Sequence, residues 1–89
     1  MALQIQSTPS QPGETAKQLS RAISEAIPDA RVDVQDRGPG HFEIRVVSKA
    51  FDGLSRVRQQ QLVYGAIAHL MKGDAAPVHA IDRLQTELP

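Results

Sequence analysis

Apolar residues follow two rhythms along this chain, and each change of rhythm marks an element. From Thr15 to Ile27 they recur at helical spacing, with Leu19, Ala22, Ile23, Ala26 and Ile27 on one stripe. Thr15 followed by Gln18 has the form of a capping box, a start near Pro12 being the alternative, and Pro28 with Asp29 closes the segment. From Arg31 to Asp36 the period shortens to two. Val32 and Val34 alternate with charged residues, which predicts a half-buried strand. After the turn Arg37-Gly38-Pro39-Gly40 the alternation resumes in HFEIRVVS. Phe42, Ile44 and Val46 take one face, and His41, Glu43 and Arg45 the other, until Val47 breaks the polar side. So short a turn predicts an antiparallel hairpin.

Helical spacing returns beyond a second turn at Phe51-Asp52-Gly53. Ser55 stands at an N-cap position, and the spacing predicts a helix from there to about Lys72. Val63, Ala66, Ile67, Leu70 and Met71 form its apolar face, with Leu62 and Tyr64 widening it. Gly65 in its interior costs about 1 kcal/mol relative to Ala, which suggests close packing on another backbone. Gly73-Asp74 ends the helix, and a last strand is expected from about Val78 to Leu84. A strand–helix–strand connection makes the second and third strands parallel neighbours. The order is therefore α-β-β-α-β: one small α/β (α+β) domain, two helices on one face of a three-stranded mixed sheet, and the other face at least partly open. Met1 to Gly13, with Pro9, Pro12 and Gly13, reads as a flexible leader, and residues 14–89 as the domain.

Composition narrows the chemistry. A chain of 89 residues buries about 60–65% of the surface it exposes when unfolded, so the core is modest. There is no cysteine, which excludes disulfides, thiolate ligands and a catalytic thiol from this chain. Ten basic and ten acidic residues cancel, which weighs against a nucleic-acid domain, since those are usually basic. No apolar run approaches the roughly 18 residues of a membrane span. The N-terminus lacks the basic start and apolar centre of a signal peptide, so a cytoplasmic location is expected. No P-loop or dinucleotide fingerprint is present, and the scattered carboxylates nominate no nucleophile–base pair.

Of three histidines, His41 opens the second predicted strand and His79 the third. Parallel strands begin at the same end of a sheet and neighbours lie about 4.8 Å apart, so both imidazoles approach one edge. They read either as paired ligands or as ordinary strand-end histidines bonded to backbone. His69 lies off the apolar stripe and is expected to face solvent. Two histidines do not saturate zinc, which takes about four ligands. A [2Fe–2S] cluster can combine histidine on one iron with thiolates on the other, but here the thiolates would have to come from another molecule. Arg45, Lys49, Arg56 and Arg58 near the start of the long helix form a candidate basic patch, the alternative being a solvated helix start. Arg56 and Arg58 point to different sides of that helix.

The pieces HFEIRVVS, FDGLSRVRQQQLVYGAI and VHAI, in this order and spacing, resemble the BolA family over roughly residues 14–84. The short loop and the FDG-S-RV-QQ-VYG pattern are similar to its short-loop bacterial branch of the IbaG type. The resemblance implies a fold like a type II KH domain. It also implies a monothiol glutaredoxin partner and a [2Fe–2S] cluster bridged by the glutaredoxin cysteine, glutathione and histidine of the BolA-like protein. His79 of VHAI matches the family's C-terminal ligand histidine. In some members a second ligand comes from the loop before the second strand, here only RGPG, which leaves His41 as the nearby candidate. The chain departs from the family's pattern in ending at Leu88-Pro89 without a TP-x-E-type ending, and in carrying Arg83 where an apolar residue is usual. It also lacks the GxxG loop with which KH domains grip single strands. The expected function is a non-enzymatic adaptor in iron–sulfur handling or iron and redox signalling under stress, a monomer alone and a heterodimer with glutaredoxin. The alternative is a DNA-binding transcription regulator using the Arg45–Arg58 region.

Overall fold

A computed structural model describes residues 13–89. Five elements follow in the expected order: α1 (Gly13–Ala26), β1 (Arg31–Asp36), β2 (His41–Val47), α2 (Arg56–Ile67) and β3 (Ala80–Glu87). The leader expected over Met1–Gly13 lies, Gly13 apart, outside the described residues. Since α1 begins at Gly13, Thr15 sits inside its first turn and is not an N-cap. Leu19, Ile23 and Ile27 form a buried i, i+4, i+8 seam, whereas Ala26 at the edge of the expected stripe is exposed.

The sheet has the order β1-β2-β3, with β2 antiparallel to β1 and parallel to β3. The turn is fixed by local bonds. The Gly38 N–H donates to the Asp36 carboxylate at 2.9 Å, and the Arg37 N–H to the His41 carbonyl at 2.8 Å. Phe42, Ile44 and Val46 of β2 are buried in one cluster with Leu19, Ile23 and Ile27, with Val63 and Ile67 of α2, and with Phe51 and Val78. Both helices therefore cover one face. The other carries polar rows in register, such as Asp33–Arg45–Gln85.

Ser55 caps α2 as expected, its Oγ accepting from the Arg58 N–H at 3.2 Å. The helix stops at Ile67 rather than Lys72 and tightens into a 3₁₀ turn over Ala68–Leu70. Leu62 and Tyr64 do not widen the buried face. A step of about 100° per residue carries them to either side of buried Val63, and they are 42% and 39% exposed. Gly65 faces open space, so the close backbone packing expected there is absent.

The last strand is longer and later than predicted, and it carries a bulge. Phe42 pairs with Ile81 and Glu43 with Arg83, leaving Asp82 as the extra residue. Without it, Arg83 would fall opposite Ile44 on the core face and Leu84 would turn outward. With it, Leu84 meets Ile44, Thr86 meets Val46, and Arg83 stays exposed. The bulge thus accommodates an arginine where an unbroken strand would need an apolar residue.

Candidate functional site

The start of β3 is tied to the β1–β2 turn through one carbonyl. Val78 is buried, and its N–H donates to the Leu70 carbonyl at 3.2 Å. The next two N–H groups, of His79 and Ala80, both donate to the Gly40 carbonyl, at 2.8 and 3.0 Å. His79 is exposed and lies one residue before β3 rather than opening it. Its ring rests against the turn: a Cβ at Gly40 would stand 2.7 Å from His79 Cγ and 2.8 Å from Nδ1. The close approach is on the Cγ–Nδ1 side of the ring, so Nε2 is the nitrogen farther from the turn.

His41, exposed at the first position of β2, pairs with Ala80. Its Nδ1 lies 2.9 Å from Oδ1 of Asp82, the bulge residue. An ionised carboxylate only accepts hydrogen bonds, so this contact favours the proton on Nδ1, and in the neutral ring the lone pair is then left on Nε2. Metal-ligating histidines are commonly oriented by a carboxylate in this way. Both candidate ligands therefore occupy one end of the sheet. His69 is elsewhere, in the 3₁₀ turn, lining a cleft of about 610 Å³ between α1 and α2 with Arg21 and Glu25.

No group of three or more His, Cys, Asp or Glu side chains among the described residues is placed to hold a metal ion. What the corner offers is His79 and the Nε2 of His41. Two histidines are too few to hold a metal centre alone, and imidazole is of the donor type that could complete a centre whose thiolates come from another molecule.

The four basic candidates are not brought together. Arg45 lies on the open sheet face, where Nε and Nη2 donate to the two carboxylate oxygens of Glu87 at 3.0 and 2.8 Å. That fork holds the Glu87 carboxyl below its ordinary range and the Arg45 guanidinium more firmly protonated. Arg56 and Arg58 are exposed at the start of α2, which covers the opposite face. Lys49 belongs to a 3₁₀ turn beyond β2, where its backbone N–H donates to the Asp29 carboxylate at 2.9 Å.

Sequence reasoning missed Gly40 and Asp82. A turn glycine signals a positive φ, observed here at 78°, but says nothing of a histidine far along the chain. For Asp82 the signal was present: Ile81, Leu84 and Thr86 do not share one period of two unless a residue is looped out.

A family model described as BolA-like protein matches residues 18–87. The chain belongs to the BolA family. A protein of the rpoN–murA intergenic region of Acinetobacter guillouiae is 34% identical over 67 residues, covering 74% of this chain and 76% of the relative. Acid stress protein IbaG of Escherichia coli K12 is 31% identical over 64 residues, 72% of this chain and 73% of its own length. Among solved structures, the BolA domain of SufE1 from Arabidopsis thaliana superposes with a TM-score of 0.73 at 24% identity, covering 86% of this chain and 94% of that domain. That likeness speaks for the shared BolA fold.

Proposed function

We propose that this BolA-family chain is a non-enzymatic adaptor. It docks a monothiol glutaredoxin and contributes histidine to a [2Fe–2S] cluster otherwise held by the glutaredoxin cysteine and glutathione. The observation that carries the reading is the corner where exposed His79 and carboxylate-oriented His41 stand at one end of the sheet, in a chain without cysteine. His79 is the main ligand. His41, fixed through Asp82, is the second candidate. A bound cluster would join the two proteins by shared coordination, while the chain's own part is to present neutral imidazole nitrogen, since a protonated ring has no lone pair to give. The name of the IbaG relative places that protein in acid stress, and a role in stress-linked iron or redox signalling is proposed for this chain by extension. The protein would act in the cytoplasm as a monomer that becomes a heterodimer on meeting its partner.

The test is to mix the protein with a glutathione-loaded, cluster-bearing monothiol glutaredoxin and record visible circular dichroism with gel filtration. A changed spectrum and a co-eluting complex are expected. An unchanged spectrum with no complex would sink the reading.

A further inference from the structure

The turn at Gly40 is built around the His79 ring. Four glycines among the described residues have a positive φ: Gly38, Gly40, Gly53 and Gly73. Around Gly38, Gly53 and Gly73 a Cβ would meet nothing within 4 Å, so their requirement is conformational only. Gly40 carries a second requirement, because its Cβ would lie within 3.1 Å of three His79 atoms, two of them, Cγ and Nδ1, closer than real Cβ atoms come. The backbone cannot retreat easily. The His79 and Ala80 N–H groups are both bonded to the Gly40 carbonyl, and the preceding Val78 is buried. The ring is the movable part, and it can move only by leaving its present rotamer.

We infer that Gly40 is a positioning residue for His79: its missing side chain makes the seat on which the imidazole lies, and its carbonyl clamps the backbone that carries the ring. The hairpin loop thereby sets where the His79 nitrogens point, without itself supplying a ligand. Its importance for the cluster rests on the function proposed above. The seating itself does not.

Gly53 provides a matched control. Its φ of 79° equals that of Gly40 within a degree, so alanine at either site meets the same unfavourable φ, and only at Gly40 does it strike a ring. The experiment uses the full chain, labelled for NMR of the histidine side chains, in the variants Gly40→Ala, Gly53→Ala, His79→Ala and the double variant Gly40→Ala/His79→Ala. Gly40→Ala should shift the His79 ring resonances and lower the melting temperature more than Gly53→Ala, which should leave those resonances in place. In the His79→Ala background most of the excess loss should disappear, because the obstructed ring is gone and only the 3.1 Å approach to the Cβ of residue 79 remains. Equal losses for the two single variants with unmoved His79 resonances would overturn the inference. Should Gly40→Ala fail to fold, recovery of a cooperative melt in the double variant supports the inference, and failure of both rejects it. If the NMR and melting results are as expected but wild-type protein leaves the glutaredoxin spectrum unchanged, the seat stands and the cluster role falls.

Discussion

Where β2 and β3 finish, two buried hydroxyls are paired with side chains, Ser48 with Asp29 and Thr86 with Gln59. Buried Ser48 donates to the Asp29 carboxylate at 2.6 Å and accepts from the Ala50 N–H at 2.9 Å. Thr86, also buried, donates to Gln59 at 2.6 Å, and the Gln59 amide donates to the Leu54 carbonyl at 3.0 Å. Where the same strands begin, backbone bonds to Gly40 hold the chain while the imidazoles of His41 and His79 stay exposed. One end uses its side-chain polarity to close the fold, and the other leaves two imidazoles exposed. Removing the paired polar side chains at the closed end should therefore cost stability, and removing the exposed imidazoles at the open end should cost only association.

The largest effect is expected at Phe51, which is fully buried just beyond Ser48. Phe51→Ala should destabilise by about 3–5 kcal/mol, the usual range for emptying an aromatic core site, as read from urea unfolding. A loss under 1 kcal/mol would show that the closed end is not the anchored one.

Next comes Ser48. Ser48→Ala removes the cap on the 3₁₀ turn at Ala50 and should cost about 1 kcal/mol in the same assay. It should also change the response to acid. The Ser48 hydroxyl first, and the Lys49 N–H second, hold the Asp29 carboxyl below its ordinary range. A carboxyl depressed by folding stabilises the fold above its unfolded pKa, about 4, and that contribution is lost as the pH falls through the lower folded value. The melting temperature of the wild type should therefore drop on acidification below about pH 4, and that of Ser48→Ala should drop less. Glu87, depressed by Arg45, adds a loss of the same sign that Glu87→Gln should remove.

The closed end and the open end were unequally legible. Alternation in Val32–Val34 and Phe42–Val46, the short turn, and Ser55 before a helical run are local signals, and they placed β1, the hairpin, the α2 cap and the parallel crossover. That His41 and His79 fall at the same end of the sheet followed from topology alone. The seat at Gly40 and the Ser48–Asp29 bond did not, because each depends on contacts between residues distant in sequence whose geometry no period encodes, whereas the Asp82 bulge did leave its mark as a break in the period of two. The outward turn of Leu62 and Tyr64 escaped for a related reason. Apolar residues ring much of α2, and only packing decides which of them face the core.

The smallest stability effect belongs to the open end, and it is the sharpest test of the contrast. His79 is exposed, so His79→Ala removes little packing and should change unfolding free energy by less than about 0.5 kcal/mol. His41→Ala gives up a partly exposed bond to Asp82 and should cost no more. Their effects should appear instead in the mixture with cluster-bearing glutaredoxin. There, His79→Ala should alter the visible absorption and circular dichroism and make the cluster more labile, His41→Ala should do so less, and His69→Ala not at all. A different pattern would reverse the argument. If His79→Ala unfolds the protein, and wild-type spectra show no nitrogen ligation, then the ring on Gly40 is a structural plug. The end of the sheet that looks open would then be as closed as the other.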